Sequence, residues 1–358
     1  MTKIPRGSVH LDLTSSVPLT PTLLLQVFGI VVNVINIAVL TRRRMRSPTT
    51  SFLLAVSILQ LVYILLHMPE NFFNYFHAQS SSTRFYLLYS IYVSNYCLPC
   101  ARRCMYVLQL FVSVERLLAV LVPLRARQFL LVRRPRVFIL ATPLLVFLAH
   151  IHVCLKLEVY HATTTGQGNK TTYSYRFTAA YERYPRLFDI VSIVLKSLFV
   201  YLSLLLLLVV NVTVLVVLRR YTGRRGQLTT NMDTNVARRR EKQMTLTILV
   251  STLIFIALCL PTASNSLVFN VIPGSYGPLI PKHRYLFFFI QKFGSLCFLL
   301  AFSTDFFTYI ALSSMYQNTL RGMLGRRKEP EMVTYTRRFP RKEEITTSFH
   351  VIDSASHI

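Results

Sequence analysis

The sequence predicts an all-α membrane protein, a bundle of seven transmembrane helices followed by a short amphipathic eighth helix. Of its 358 residues, 53% are hydrophobic and only 15% are charged, whereas a soluble domain carries about a quarter charged residues. Apolar runs close to the ~20 residues that a helix needs to cross a bilayer recur along the chain. These runs cover residues 19–41, 50–72, 87–121, 136–156, 188–218, 242–271 and 286–312.

The basic residues predict how this bundle is oriented. The formal net charge is +26, a balance that in a soluble protein would suggest a nucleic-acid partner. Here the basic residues concentrate in alternate connections between the apolar runs and in the C-terminal segment, while other connections contain acids such as Glu158 and Glu182. The positive-inside rule then places the N-terminus outside the cell and the C-terminus in the cytoplasm of a multi-pass plasma-membrane protein. We expect the excess positive charge to contact anionic membrane lipid, and no nucleic acid.

The apolar runs divide the chain into four parts. Residues 1–18 are an extracellular N-terminus, 19–312 the membrane domain, 313–325 an amphipathic helix and 326–358 a polar tail that we expect to be disordered in the cytoplasm. Residues 1–20 lack the compact apolar core and small-residue cleavage site of a secretory signal. The first apolar run is therefore expected to insert the chain.

Few local patterns suggest modification or metal chemistry. Asn169-Lys170-Thr171, in a long outer connection, matches the acceptor for N-linked glycosylation. The six cysteines lie in or near apolar runs and match no zinc-binding spacing with histidines, so we expect packed thiols. We expect no metal site, no cofactor and no enzyme activity, since no catalytic constellation is present.

The most informative segment ends the third apolar run. Glu115-Arg116-Leu117 is followed by Pro123, seven residues after the arginine. An ionised pair at the edge of a hydrocarbon span is costly and indicates a functional role. The segment resembles the E/D-R-Y…P-L element that ends the third helix of rhodopsin-like (class A) G-protein-coupled receptors.

Further segments carry the same resemblance in the same order, over about residues 19–325. They are similar to the G-x-x-x-N of the first helix, the L-A-x-x of the second, the proline kink of the sixth, and the N/D-P-x-x-Y of the seventh with its following tyrosine. The matching segments are Gly29–Asn33, Leu54-Ala55-Val56-Ser57, Cys259-Leu260-Pro261, Asp305-Phe306-Phe307-Thr308-Tyr309 and Tyr316. Residues 96–102 and 123–127 resemble divergent invertebrate FMRFamide-type neuropeptide receptors and related orphan chemoreceptors.

This resemblance implies an activation switch that acts on a heterotrimeric G protein. Arg116 would pair with Glu241 and hold the cytoplasmic end closed, because breaking a buried pair leaves an uncompensated charge. Pro261 removes a helical hydrogen bond and would provide the hinge of the sixth helix. Asp305 and Tyr309 would hydrogen-bond polar neighbours such as Asn33. The alternative for Arg116 is a side chain that snorkels to lipid headgroups.

The ligand pocket is predicted from helical spacing. Arg102 precedes Arg116 by 14 residues, about four turns and about 21 Å, so the two arginines share a face at opposite membrane depths. An intramembrane arginine is a candidate site residue, although Arg102 could also snorkel to headgroups. Lys196 and Gln291 are further candidates for the cavity. Glu70 could receive a basic group of the ligand or lie exposed at the interface.

The sequence also departs from the receptor pattern. Ile58 occupies the position of the sodium-binding aspartate, Ile91 that of the outer cysteine, and the chain contains no tryptophan. The resemblance suggests a neuropeptide as the extracellular ligand, with a small molecule as the alternative on the same scaffold. An opsin is disfavoured because Leu299 stands where its retinal lysine would be. A channel or transporter would need polar rows across the membrane, and the residues between Arg102 and Arg116 are mostly apolar.

Overall fold

A computed structural model describes the backbone of residues 19–45, 47–76, 84–122, 125–164, 170–224, 232–272, 275–277 and 280–325. Within these ranges, the side chains of 19–20, 71–76, 127, 161–164, 170–173, 221–224 and 232–242 are outside the description. Asn169, Pro123 and the segments 1–18 and 326–358 also lie outside it. The glycosylation site and the two terminal segments therefore stay predictions.

The described part of the chain is dominated by helices, as the sequence predicts. They are α1 (Leu19–Leu40), α2 (Pro48–Phe76), α3 (Arg84–Tyr89), α4 (Leu98–Leu121), α5 (Leu130–Arg133), α6 (Pro135–Ala149), α7 (Ala179–Arg183), α8 (Pro185–Lys196), α9 (Ser203–Arg224), α10 (Met232–Val271), α11 (Arg284–Leu312) and α12 (Ser314–Met323). π-helical segments at Ser90–Cys97 and Ser197–Leu202 join α3 to α4 and α8 to α9. Strands β1 (Leu157–Thr164) and β2 (Lys170–Phe177) form an antiparallel hairpin.

Seven of these helical stretches are long and apolar enough to cross a membrane, which confirms the predicted seven-helix bundle. In order, the spans are Pro21–Leu40, Pro48–Glu70, Arg84–Leu121, Pro135–Val153, Pro185–Arg220, Gln243–Val271 and Arg284–Leu312. Large apolar side chains on their outer faces remain exposed, among them Leu140 at 72% and Leu205 at 57%. An apolar surface of this extent suits a lipid environment.

The third span lies at the centre of the packing. It contacts the second, fourth and fifth spans, while the sixth packs on the seventh and the first packs on both the second and the seventh. One apolar cluster surrounds Met105, Phe255 and Phe298, and another surrounds Val112 and Tyr309. We call the end of the bundle that holds the second cluster the Arg116 end, and the opposite end, from which β1 and β2 extend, the hairpin end.

The π-helical segments interrupt the regular α-helical spacing of side chains, so spacing can be used only between residues on the same side of a segment. The backbone N–H of Leu98 donates to the carbonyl oxygen of Val93, a five-residue separation typical of π-helical winding. Arg102 and Arg116 both lie after this segment, inside the regular α4. Their 14-residue spacing therefore keeps them on one face, and both side chains contact the second span, through Tyr63 and Thr49 respectively.

Candidate functional site

Glu115 and Arg116 form a buried ion pair at the Arg116 end. The Nε of Arg116 lies 2.7 Å from Oε2 of Glu115, and its Nη2 lies 2.8 Å from Oε1. Thr49, from the second span, donates its hydroxyl to Oε2 of Glu115 over 2.7 Å and also accepts a hydrogen bond from Arg116. Two parallel hydrogen bonds between a guanidinium and a carboxylate make a strong and directional pair. The third span is thereby tied to the second.

These contacts decide between two interpretations of Arg116. Arg116 is only 7% exposed and Glu115 only 3%, so Arg116 does not snorkel to headgroups. Its described partners are Glu115 and Thr49. Glu241 lies within α10, which begins at Met232 and so extends beyond the predicted apolar run. Since the side chain of Glu241 is outside the description, the Arg116–Glu241 bridge stays a prediction.

Asp305 connects three spans through hydrogen bonds. Gln60 of the second span donates to its Oδ2 over 3.0 Å, and the hydroxyl of Ser251 in the sixth span donates to its Oδ1. Asp305 thus bonds polar neighbours, but Asn33, the example that the sequence suggested, is not one of them. The amide nitrogen of Asn33 donates instead to the carbonyl oxygens of Gly29 and Phe302, at 2.9 and 3.5 Å.

Two tyrosines join the seventh span to α12 and to the first span. Tyr309 is buried, and its ring packs against Tyr316 with centroids 5.5 Å apart. The hydroxyl of Tyr316 donates to Oδ1 of Asn36 over 2.6 Å. Burial raises the pKa of the Tyr316 phenol above its ordinary value, so this group stays a neutral donor.

A cavity of about 250 Å³ lies among the second, sixth and seventh spans at the Arg116 end. Arg116 and Gln243 supply polar groups to its wall, and Tyr309 and Tyr316 supply aromatic ones. Most of the wall surface is apolar, from residues that include Leu40, Met45, Leu53, Met244 and Ile248. Hydroxyl-bearing side chains complete the lining, namely Ser47, Thr50, Thr247, Ser313 and Ser314. A mostly apolar cavity with polar groups in its wall is suited to receive part of another molecule.

At the hairpin end, Arg102 lies among aromatic residues. Its Nη2 donates to the hydroxyl of Tyr63 over 2.7 Å. Its guanidinium carbon is 4.7 Å from the ring centroid of Phe298 and 5.7 Å from that of Tyr63, within range of cation–π attraction. Tyr63 and Phe298 belong to the second and seventh spans, so Arg102 faces the interior of the bundle.

The other predicted pocket residues bridge different pairs of spans. Lys196 donates to Oδ1 of Asn270 over 3.5 Å, and Oε1 of Gln291 accepts a hydrogen bond from Asn265 over 3.3 Å. Glu70 accepts a hydrogen bond from Ser94 over 3.2 Å. None of these described hydrogen bonds joins Lys196, Gln291 or Glu70 directly to Arg102. Helix α10 continues through Pro261, and the hinge there stays a prediction.

A comparison with protein families decides what kind of bundle this is. The family model for the serpentine type 7TM GPCR chemoreceptor Srw matches residues 21–327, which includes every span. The chain belongs to the Srw family. No curated protein matches the chain. Membership of this chemoreceptor family implies a receptor rather than an enzyme, with an extracellular ligand and coupling to G proteins.

Several contact residues of this Srw receptor were missed from sequence. Thr49 and Ser251 are ordinary polar residues near the ends of apolar runs, and nothing local singles them out. Gln60 carries a better signal, because an amide in the middle of the second apolar run needs a partner inside the protein. Tyr63, the partner of Arg102, is an aromatic residue in the same apolar run, and nothing in the sequence distinguishes it from a residue that only packs.

Replacing Asp305 with alanine is expected to destabilise the Srw receptor. Gln60 and Ser251 would lose a buried acceptor, and a buried donor left without one costs about 1–3 kcal/mol. The loss should lower the midpoint of thermal unfolding of the purified protein. Asp189→Ala is the control, because its ion pair with Lys156 is 3.4 Å long and largely exposed, and such pairs contribute about 0–1 kcal/mol. Equal midpoints for the two variants would contradict the prediction.

Proposed function

We propose that this Srw chain is a plasma-membrane chemoreceptor that binds a small extracellular molecule at the hairpin end and activates a heterotrimeric G protein at the Arg116 end. The observation that carries this proposal is the buried Glu115–Arg116–Thr49 cluster at the wall of a mostly apolar cavity. The cavity is small, so a G protein would enter only after the sixth span moves away from the second and seventh.

The distribution of charge supports this orientation. Arg42, Arg43, Arg44, Arg125 and Arg133 lie in connections at the Arg116 end. Acids are found in the connections at the hairpin end, which include Glu158 and Glu182. By the positive-inside rule the Arg116 end faces the cytoplasm. The N-terminus and Asn169, as a glycosylation site, are then extracellular, and residues 326–358 form a cytoplasmic tail.

The hydrogen bonds also support a two-state switch. Arg116 is held by Glu115 and Thr49 in the closed arrangement, and Asp305 holds the sixth span through Ser251. An outward movement of the sixth span about Pro261 would break the Ser251–Asp305 hydrogen bond and widen the cavity. An agonist activates the receptor if it binds this open state more tightly than the closed one. Glu241, near the start of the sixth span, would stabilise the closed state by pairing with Arg116.

The depth of Arg102 supports a small ligand. Its neighbours Tyr63 and Phe298 are almost fully buried, so a group that reaches the guanidinium must be small. A neuropeptide, as in the FMRFamide-type receptors of the rhodopsin-like class that the motifs resemble, is the second candidate. The observation that favours a peptide is the hairpin, because each strand of a two-stranded sheet has an open edge that an extended peptide could join.

Glu241→Ala tests the proposed signalling directly. Removing this carboxylate should raise ligand-independent activation of G proteins severalfold, because the closed state loses an ion pair worth a few kcal/mol when buried. The readout is G-protein activation in cells that express the receptor, normalised to the amount at the cell surface.

Glu182→Ala serves as the control for that experiment. It removes the same charged group from an exposed position at the hairpin end and should leave basal signalling unchanged. If Glu241→Ala and Glu182→Ala both signal like the parent at equal surface amounts, the proposed switch is wrong.

A further inference from the structure

Arg102 is a cation inside the bundle that forms no ion pair with a described acid. Arginine stays charged at any physiological pH. Among the described residues the ion pairs are Glu115–Arg116, Lys156–Asp189 and Arg176–Glu158, and none includes Arg102. The Nε of Arg102 is buried and donates to no acceptor. A cation kept in this state is costly, and such residues in membrane spans mark binding sites.

The hydrogen bond to Tyr63 does not neutralise this charge. The tyrosine hydroxyl is a neutral acceptor, and it engages Nη2 alone. The rings of Tyr63 and Phe298 attract the guanidinium by cation–π interaction, which is weaker than pairing with an ionised acid. The Nε–H of the guanidinium therefore has no acceptor among the described residues.

Closely packed side chains surround Arg102 inside the bundle. Four side chains, one from each of the second, third, seventh and sixth spans, are each no more than 2% exposed: Tyr63, Tyr106, Phe298 and Cys259. Arg102 itself keeps an intermediate exposure. A ligand would therefore reach Arg102 by entering between these helices on the side where Arg102 stays accessible.

Nearby charge favours an anion as that ligand. Arg103 also has a buried Nε without a partner, and Lys196 lies within its electrostatic reach. Glu70 is a described acid whose field reaches Arg102, but it accepts a hydrogen bond from Ser94 and takes part in none of the ion pairs of the described residues. The basic groups therefore outnumber this single carboxyl.

We propose that the ligand is a small organic acid whose carboxylate pairs with the guanidinium of Arg102. This inference rests on the proposed receptor function. The fork of Nε–H and a terminal N–H matches the two oxygens of a carboxylate. The body of the ligand would lie against the rings of Tyr63, Tyr106 and Phe298, which favours an apolar or aromatic group.

The test compares carboxylates with their neutral amides on the purified full-length receptor in lipid nanodiscs. The probes are benzoate, phenylacetate and indole-3-acetate, each paired with benzamide, phenylacetamide or indole-3-acetamide. We expect carboxylates to raise the midpoint of thermal unfolding in a saturable way, with amides binding about tenfold or more weakly because they lack the charge.

Variants connect the effect to Arg102. Arg102→Gln should abolish the difference between carboxylates and amides, and Arg102→Lys, which keeps the charge without the fork, should retain a weakened difference. Tyr63→Phe removes the neutral hydrogen-bond acceptor and should retain the full difference. Arg186→Gln is the matched control, since it removes an exposed positive charge at the hairpin end and should leave the difference in place. If Arg102→Gln does not fold, Arg102→Lys and Tyr63→Phe provide the comparison.

The inference is overturned if no carboxylate raises the midpoint, if carboxylates and amides act equally, or if Arg102→Gln retains the carboxylate effect. Basal signalling of Glu241→Ala separates this failure from failure of the receptor function. Basal signalling without a carboxylate effect would overturn the organic-acid ligand alone. The opposite result is also informative. If carboxylates act through Arg102 but the Glu241→Ala variant does not signal, the signalling function alone would be overturned.

Discussion

Arg116→Ala is expected to abolish G-protein activation, including the raised basal signal of Glu241→Ala. The alanine removes the one charged side chain in the described wall of the cavity at the Arg116 end. It also leaves Glu115 buried without its partner, and breaking a buried ion pair in this way costs about 3–5 kcal/mol. The measurements are G-protein activation in cells and the surface amount of each variant.

A double variant separates lost signalling from lost folding. Glu115→Gln with Arg116→Gln removes both charges, so neither is left uncompensated, and stability should return towards that of the parent. Signalling should stay absent, because the cation that faces the cavity is gone. If the double variant signals like the parent, Arg116 has only a structural role.

Gly294→Ala is expected to prevent most of the receptor from reaching the cell surface. A Cβ at this position would lie 3.0 Å from the backbone nitrogen of Thr262 and 3.2 Å from its Cα, with the Thr262 hydroxyl closer still. The sixth and seventh spans would have to separate, since backbone atoms cannot move aside as a side chain can. Overpacking of this kind costs about 1–3 kcal/mol or more. Small residues at close helix contacts are a recurrent feature of membrane bundles.

The matched control is Gly29→Ala, at the contact between the first and second spans. There the added Cβ would meet the terminal Cδ1 of Ile64 at 2.8 Å, and this flexible side chain can change rotamer. Surface expression should therefore fall much less than for Gly294→Ala. Thr262→Ala in the Gly294→Ala background should rescue little, because the backbone contacts remain. Equal expression of Gly29→Ala and Gly294→Ala would show that the close approach of the sixth and seventh spans is unimportant.

Two contacts with the seventh span hold the sixth span in place. Its position is determined by the Gly294–Thr262 contact towards the hairpin end and by the Ser251–Asp305 hydrogen bond nearer the Arg116 end. The Gly294–Thr262 contact is rigid, whereas the Ser251–Asp305 hydrogen bond can break. The sixth span could therefore pivot about the first contact when the second is lost. Activation would then widen the cavity at the Arg116 end.

The sequence by itself determined the seven spans. Length and hydropathy are local properties, and a bilayer requires about 20 apolar residues in any crossing helix, whatever its neighbours are. The face shared by Arg102 and Arg116 was equally predictable, because α4 is a regular helix between them and helical geometry relates residues 14 apart. The ordered motifs likewise indicated a receptor, as membership of the Srw family confirms.

Only the tertiary structure decided which polar groups meet. Thr49 lies 66 residues from Glu115, and Gln60 lies 245 residues from Asp305, so no local pattern connects either pair. Asn33 was one example of a polar neighbour for Asp305, yet its amide donates to carbonyl oxygens of its own helix and of the seventh. The physical reason is that, without water in the bilayer, each buried polar side chain must take whichever partner the packing of the helices brings within reach. That packing depends on shapes along whole helices, such as the missing Cβ at Gly294, which hydropathy does not record.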